Sequence, residues 1–371
     1  MKSRLSSVFP VTPVHLCPTF LQEVYEFSAF MREQYLNEKI KSMVSGNSNI
    51  STLSSRRVIL RMLFDNCGRP TTNLRVSLTQ RCNLHCVYCH AEGQTPDSHR
   101  REMAPQEIVR LVGLAVELGI TKVKLTGGEP LLREDVTEII RGLHQITGLQ
   151  DLSMTTNAHR LGVLAQQLRE AGLMRVNINL PSLNPRIYRD LNGGSLQDAL
   201  DGVHAAVKAG FDPVKLNMLI LNGVNYDEID SMIDFARETG AVLQLLELEP
   251  IKVTDPYYKR YHYLLDAVEE DLKLRAQKVR TRGDMQSRRV YTLPGVEVEV
   301  VHPIENTEFC AHCTRLRLTS DGKLKPCLMV KDNLIDILTS LRQGASDEQL
   351  KELYVAAVKR RQPFYKPVDK S

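Results

Sequence analysis

The sequence predicts an α/β fold in which six strand–helix units form a partial (β/α)6 barrel, followed by a C-terminal domain that binds a metal cluster. Strand-like and helix-like segments alternate from about Thr72 to Pro250. Repeated βα units form parallel sheets with right-handed crossovers, and six units are too few to close a barrel. Six of the eight cysteines form two groups of three, which indicates metal binding rather than disulfides in a reducing compartment.

The six predicted strands are short runs rich in apolar residues. They span residues 73–78, 122–126, 151–155, 175–179, 214–219 and 242–248. Helical patterns between them cover residues 105–118, 133–145, 161–171, 196–209 and 226–239. Several of these patterns end in glycine, the residue favoured just after a helix. Ligands of barrel folds bind at the C-terminal ends of the strands, so the residues at those ends are candidate site residues.

The alternation ends after Pro250. Residues 256–284 predict a helix and a solvated connector, and residues 287–302 predict a hairpin that turns at Pro294-Gly295. Residues 347–361 predict a closing helix.

The N-terminal segment has a different composition. Residues 18–43 fit an amphipathic helix, whereas residues 44–57 are rich in Ser, Asn and Arg. Met62 stands just before the regular pattern and is a candidate for the true start. The sequence therefore predicts three parts: a partly helical or mobile extension at 1–61, a core at 62–250 and a C-terminal domain at 251–371.

Composition excludes several classes of function. The net charge of +4 is small and dispersed, which argues against a nucleic-acid partner. No apolar run is long enough to predict a membrane span. Pro10, Pro13 and His15 interrupt any apolar stretch of a signal peptide, so a cytoplasmic location is expected.

The first triplet consists of Cys82, Cys86 and Cys89 in a loop after the first predicted strand. Three thiolates are one fewer than a closed four-thiolate iron–sulfur site needs, which leaves one iron open. A zinc site completed by His85 or His90 is the alternative. Thr126-Gly127-Gly128-Glu129-Pro130 ends the second strand, where two glycines allow close backbone approach and Glu129 offers an acceptor to an ammonium group.

The second triplet consists of Cys310, Cys313 and Cys327. Spacing alone favours a structural zinc site, completed by His312 or a distant group, over an iron–sulfur cluster. Arg315 and Arg317 lie between these cysteines and point the same way if the segment is extended. One guanidinium group can donate two parallel hydrogen bonds to phosphate oxygens, so two arginines on the same face favour a phosphate site. Lys323 and Lys325 are expected to be solvated.

The first triplet and the TGGEP run together resemble the radical S-adenosylmethionine (SAM) superfamily over roughly residues 70–250. The resemblance implies a TIM-like barrel of the radical SAM type. It also implies a [4Fe-4S] cluster whose open iron holds SAM and whose reduction yields a 5′-deoxyadenosyl radical. The implied SAM contacts are Tyr88, Gly128 and Asn179; simple packing is the alternative for Tyr88.

Two further runs, FDNCGRPTTNLRVSLTQRCN at 64–83 and FCAHCTRLRLTSDGKLKPCL at 309–328, are similar to the GTP 3′,8-cyclase family, including its archaeal type. The resemblance implies a second [4Fe-4S] cluster on the second triplet, whose open iron binds guanine. It implies that GTP is cyclised through ribose C3′ and guanine C8 in molybdenum cofactor biosynthesis. The implied partners are GTP, a reducing electron donor and the next enzyme of the pathway. The implied GTP contacts are Arg75, Lys124, Thr155, Lys215, Arg315, Leu316 and Arg317; no catalytic side chain is assigned beyond the clusters.

The chain departs from the family pattern at several positions. Lys124 and Gln244 stand where many relatives carry arginine, Asn179 where they carry serine and Glu249 where they carry methionine. The chain ends FYKPVDKS, without the double glycine of many relatives. Two other functions stay open at this point: a peptide-modifying radical SAM enzyme with an auxiliary cluster, and a non-enzymatic metal-binding protein.

Overall fold

The computed structural model describes residues 62–94, 102–251, 253–283, 285–303 and 306–363, so the predicted extension at 1–61 lies outside the described residues. The strands are β1 Leu63–Phe64, β2 Pro70–Thr71, β3 Asn73–Ser77, β4 Lys122–Thr126, β5 Asp151–Thr156, β6 Arg175–Asn179, β7 Val214–Leu219, β8 Val242–Leu246, β9 Lys278–Arg282, β10 Arg288–Leu293, β11 Val296–Val301, β12 Arg315–Leu318, β13 Lys323–Lys325 and β14 Ile335–Asp336.

The helices lie mainly between the strands of the core. They are α1 Pro105–Glu117, α2 Val136–His144, α3 Leu161–Glu170, α4 Pro185–Asn192, α5 Leu196–Lys208, α6 Ile229–Thr239, α7 Asp255–Tyr261, α8 Asp266–Arg275, α9 Thr307–Ala311, α10 Leu338–Arg342 and α11 Asp347–Lys359. Short 3-10 turns cover Ala91–Gly93, Pro130–Leu132 and Tyr226–Glu228. Within the part of the chain that the structure describes, every helix is too short or too polar to cross a lipid bilayer.

The six predicted strands form the centre of one sheet and are all parallel, which confirms the α/β fold. Strands β3 to β8 lie side by side in chain order. The predicted bounds differ from the observed ones by at most two residues, because apolar runs between helical patterns mark buried parallel strands well.

The C-terminal segment extends this sheet at both edges. Strand β11 pairs in parallel with β8, and β12 pairs in parallel with β3, with Arg317 opposite Arg75. Both strands cover backbone groups that would otherwise be exposed at the edges of the six-stranded sheet. The 62–250 and 251–371 segments therefore share one sheet of twelve strands.

The structure also differs from the expectation for residues 256–284. The segment forms two helices, α7 and α8, and then the strand β9, which pairs with β10. The hairpin β10–β11 is confirmed around Pro294-Gly295. Helix α4 was not predicted, because its side chains are mostly polar; Pro185 begins it, and the Asn184 side chain accepts hydrogen bonds from two backbone amides.

Side-chain alternation along the strands separates the core from a polar interior. Leu74 and Val76 of β3, and Val123 and Leu125 of β4, are buried in the hydrophobic core. Residues between them point to the opposite face of the sheet. This alternation directs cations on neighbouring strands toward one cavity.

Candidate active site

A cavity of about 380 Å³ lies at the C-terminal ends of the parallel strands. Most of the predicted site residues line it, although they are far apart in the sequence. The lining includes the first triplet, Arg75, Tyr88, Lys124, Gly128, Thr155, Asn179, Lys215, Arg315 and Arg317. The structure therefore brings the residues predicted for SAM, and those predicted for GTP except Leu316, into a single enclosure.

The loop of the first triplet is held by backbone hydrogen bonds to helix α4. His85 N donates to Asn192 O at 2.9 Å, and Val87 N donates to Leu191 O at 3.0 Å. Backbone amides also donate to two thiol sulfurs: Leu84 N to Cys82 Sγ at 3.4 Å and Ala91 N to Cys89 Sγ at 3.3 Å. Helix α4, which the sequence analysis did not predict, thus positions this loop.

The donors of the first triplet fit an iron–sulfur cluster. Burial raises the pKa of the Cys86 thiol to about 12, and the neighbouring Cys89 and Cys82 add to the rise. Three adjacent thiolates repel one another, and bound iron removes that repulsion. Among the residues that the structure describes, no group of three or more His, Cys, Asp or Glu side chains is arranged so that it could hold one metal ion.

The TGGEP turn packs directly against the segment that leads to Cys82. Gly128 N donates to Thr79 O, and Glu129 N donates to Arg81 O, both at 2.8 Å. A Cβ on Gly128 would lie 2.6 Å from the carbonyl carbon of Arg81 and 2.7 Å from the Gln80 oxygen. The glycines are therefore required by the close approach of these two segments.

The Glu129 carboxylate fixes the ends of neighbouring strands. It accepts hydrogen bonds from Leu131 N at 3.0 Å, from Thr156 Oγ1 at 2.7 Å and from Asn157 N at 2.7 Å. Burial raises its pKa although these hydrogen bonds oppose the rise. The predicted contact with an ammonium group stays a prediction, and Glu129 has this structural role in addition.

Two of the residues predicted to contact SAM touch each other. Asn179 Nδ2 donates to the Tyr88 hydroxyl at 3.1 Å. Burial raises the pKa of Tyr88 well above its usual value, so the hydroxyl stays protonated at neutral pH. Tyr88 also packs against the small apolar cluster around Leu191 and Leu219, so packing and cavity lining both apply to it.

Glu92 connects two of the predicted GTP-binding arginines, and sequence reasoning missed it. Its carboxylate lies 3.3 Å from Arg75 Nη1 and 2.7 Å from Arg317 Nη1. Burial alone would raise the pKa of Glu92, but Arg75 and Arg317 outweigh burial and lower it to about 2. The carboxylate is thus ionised at neutral pH and holds two guanidinium groups side by side.

We expect Glu92→Gln to lower the melting temperature of the ligand-free protein by about 5 °C or more, because the variant leaves two buried arginines without their counter-charge. A triphosphate can replace that charge, so GTP is expected to raise the melting temperature more in the variant than in the wild type. Thermal unfolding of the reconstituted protein with and without GTP tests this. Glu297→Gln, which breaks an exposed pair with Arg280, is the control and should change little. An equal GTP effect in Glu92→Gln and wild type would refute the role of Glu92.

The two predicted lysines have different surroundings. Lys124 Nζ donates to Asn177 Oδ1 at 2.6 Å, and burial lowers its pKa well below its usual value, with Arg75 adding to the effect. Lys215 forms an ion pair with the buried Glu299 of β11. Burial lowers the pKa of Lys215 although Glu299 opposes the shift. An anionic ligand would favour the charged form of both lysines.

The loop of the second triplet is anchored by two arginines that sequence reasoning also missed. Arg69 Nη1 donates to Cys310 O at 2.8 Å, and an Arg361 guanidinium nitrogen donates to Cys313 O. Asp65 lies between the two arginines, 2.7 Å from Arg69 and 3.5 Å from Arg361. Burial would raise the pKa of Cys313, but Arg361 and Arg315 lower it, which favours the thiolate form that binds metal.

The residues around the second triplet partly agree with the sequence-based expectations. Arg315 and Arg317 lie in the extended strand β12 and both line the cavity, as expected. The Leu316 side chain is buried in the core on the opposite face, because side chains alternate along a strand. The expectation of a solvated Lys325 is wrong: the residue is 1% exposed, because β13 lies between β12 and β14.

The four residues that depart from the family pattern all line the cavity: Lys124, Asn179, Gln244 and Glu249. Gln244 is buried, and its neighbours across the strands are Asn217 and Glu299. Glu249 has one buried carboxylate oxygen without a hydrogen-bond partner in the described structure.

Two protein-family models match consecutive parts of this chain. Residues 76–236 match the radical SAM superfamily model, and residues 241–367 match the Molybdenum Cofactor Synthesis C model. The chain is 49% identical over 312 residues to a probable GTP 3′,8-cyclase of Thermococcus kodakarensis, a match that covers 82% of this chain and 100% of that protein. It is 50% identical over 311 residues to a probable GTP 3′,8-cyclase of Pyrococcus horikoshii, covering 82% and 98%.

A solved structure shares the fold. The structure of Streptococcus suis SuiB bound to S-adenosylmethionine matches with a TM-score of 0.58 at 14% identity, covering 83% of this chain and 74% of that one. The family matches, and not this distant likeness, identify the chain. It belongs to the GTP 3′,8-cyclase family of radical SAM enzymes.

Proposed function

We propose that this protein converts GTP to (8S)-3′,8-cyclo-7,8-dihydroguanosine 5′-triphosphate, in the biosynthesis of the molybdenum cofactor. The observation that carries the proposal is the shared cavity, in which the first triplet and a set of cations line the same walls. The relatives' names and the Molybdenum Cofactor Synthesis C match support the substrate and the pathway. The cations are Arg75, Lys124, Lys215, Arg315 and Arg317.

The residues of the chain supply binding, orientation and exclusion of water. When bound, a [4Fe-4S] cluster on Cys82, Cys86 and Cys89 would supply, with SAM, the electron and the radical that abstracts hydrogen from the ribose, and a [4Fe-4S] cluster on Cys310, Cys313 and Cys327 would bind guanine. The cations bind a triphosphate of about four negative charges, and the arginines can do so through paired hydrogen bonds. Tyr88 and Asn179 form the wall beside the first triplet, and an enclosed site keeps solvent from quenching a reactive carbon radical.

The test is an anaerobic assay of iron-reconstituted protein with GTP, SAM and dithionite, analysed by mass spectrometry. We expect 5′-deoxyadenosine together with an isomer of GTP of unchanged mass. Deoxyadenosine without that isomer would keep the radical chemistry and refute GTP as substrate; a peptide substrate would then be tested. Zinc without iron in the purified protein would favour a non-enzymatic role.

The proposal includes partners and a location. A reducing protein must deliver an electron to the first cluster, and the next enzyme of the pathway must consume the cyclised nucleotide. Both are expected in the cytoplasm.

We also propose that the working unit comprises the core at 62–250 and the C-terminal domain at 251–371. The match to the Thermococcus kodakarensis relative covers all of that protein with 82% of this chain. A chain starting at Met62 is expected to fold and to retain its iron content, GTP binding and rate within about twofold, because edge strands β11 and β12 complete the sheet. Loss of iron or of GTP binding in the shortened chain would contradict this division.

A further inference from the structure

The hairpin β9–β10 reaches the loop of the second triplet. Gln286 N donates to His312 O at 3.2 Å, and Arg315 Nη2 lies 3.6 Å from Met285 Sδ. Strands β9 and β12 lie in opposite halves of the twelve-stranded sheet. Because residues next to these strands contact each other, the sheet must curl so that its two halves approach. Arg288, the first residue of β10, thereby reaches the cavity wall close to Arg315.

The Arg288 guanidinium is held in place but has an unused donor. Its side chain is 10% exposed. Nη2 donates to Gln286 Oε1 at 2.8 Å, and the guanidinium carbon lies 6.0 Å from the centre of the Phe309 ring. Within the described ranges, Nη1 makes one long contact, of 3.4 Å, with Glu299 Oε1. Nε is buried and has no hydrogen-bond partner among the described residues.

The surroundings of Arg288 carry excess positive charge. Lys215, Arg282 and Arg288 all pair with the single carboxylate of Glu299. One carboxylate offsets only one of these three cations. Buried charges are costly unless they are paired, so the arrangement favours binding of a further anion. Three of the nearby cations, Arg282, Arg288 and Arg315, line the same cavity as the predicted phosphate-binding residues.

We propose that Arg288 is a further substrate-binding residue, whose guanidinium binds the polyphosphate of the nucleotide together with Arg75 and Arg315. This rests on the proposed function, because it needs a nucleoside triphosphate in the cavity. Gln286 orients the guanidinium, and Glu299 keeps it extended beside Lys215. The nucleotide phosphates supply the missing anion and the acceptor for the unused donor.

The test compares binding of GTP with binding of guanosine, which lacks phosphates. Dissociation constants are measured anaerobically on the reconstituted enzyme by equilibrium dialysis. Arg288→Gln is expected to weaken GTP about 30-fold or more, whereas guanosine changes less than about threefold. Arg288→Lys keeps the charge but not the fork, so a smaller loss for GTP is expected. It also gives a second folded variant if the glutamine variant fails to fold.

Arg289→Gln is the matched control, because the neighbouring arginine side chain is 57% exposed and pairs with Glu269. It should leave the GTP dissociation constant unchanged. Equal weakening of GTP and guanosine, or altered iron content in the Arg288 variants, would assign Arg288 a structural role and refute the proposal. If the wild type binds GTP without cyclising it, the proposed activity fails while the Arg288 proposal stands. If the wild type does not bind GTP, both fail.

Discussion

Replacing Cys86 with alanine is expected to abolish formation of 5′-deoxyadenosine, by at least about 1000-fold. Replacing Cys313 is expected to abolish the cyclised nucleotide but to leave SAM cleavage measurable. The two triplets have different surroundings, which is why the effects differ. Cys86 lines the cavity together with Tyr88, whereas Cys313 comes just before β12, whose Arg315 and Arg317 line the same cavity. Loss of a thiolate removes one of only three protein ligands of a cluster.

Iron content, deoxyadenosine and cyclised nucleotide are measured for each variant after anaerobic reconstitution. Cys67→Ser is the control, because Cys67 is exposed and lies outside both triplets; it should behave as the wild type. If Cys313→Ala lost deoxyadenosine as completely as Cys86→Ala, the two clusters would not have separable roles. If Cys86→Ala still cleaved SAM, the assignment of the first triplet would be wrong.

The parts of the fold that depend on local patterns were predictable from the sequence. The strands β3 to β8 are short buried runs between amphipathic helices, and each is specified by residues close in the chain. The pairing of β12 with β3 was not predictable, because Arg317 and Arg75 are distant in sequence and no periodicity connects them. The exposed strand β9 carries few apolar side chains, so no alternation of apolar and polar residues indicated its pairing with β10.

The site shows the same division. The cysteines and the TGGEP run were found because metal ligands and tight turns impose spacing on the sequence. Glu92 was missed because a single acidic residue in a loop has no distinctive spacing. Arg69 and Arg361 donate hydrogen bonds to backbone carbonyls of a loop that is distant from both in the sequence, so only the folded chain shows these contacts. The run at residues 64–83 that resembles the family contains Asp65 and Arg69, and this resemblance was the available signal.

Replacing Gly128 with alanine is expected to reduce SAM cleavage at least about 100-fold and to lower the iron content. The added methyl group would collide with the backbone of Gln80 and Arg81, which cannot move aside like a flexible side chain. That backbone leads directly into Cys82, so the collision displaces a ligand of the first cluster. A displacement of about 1 Å at a reacting centre can cost two orders of magnitude in rate.

Gly113→Ala is the matched control, since it makes the same chemical change within helix α1, where a Cβ would meet nothing within 4 Å. It should leave activity unchanged and stabilise the protein by about 0.5–1 kcal/mol, because alanine is the better helix former. Melting temperature, iron content and deoxyadenosine formation are measured for both variants. Normal iron content and cleavage in Gly128→Ala would show that the two segments can separate without moving Cys82. In that case Gly128 would either contact SAM directly or have no special role. A weaker affinity for SAM with an unchanged iron content would indicate direct contact.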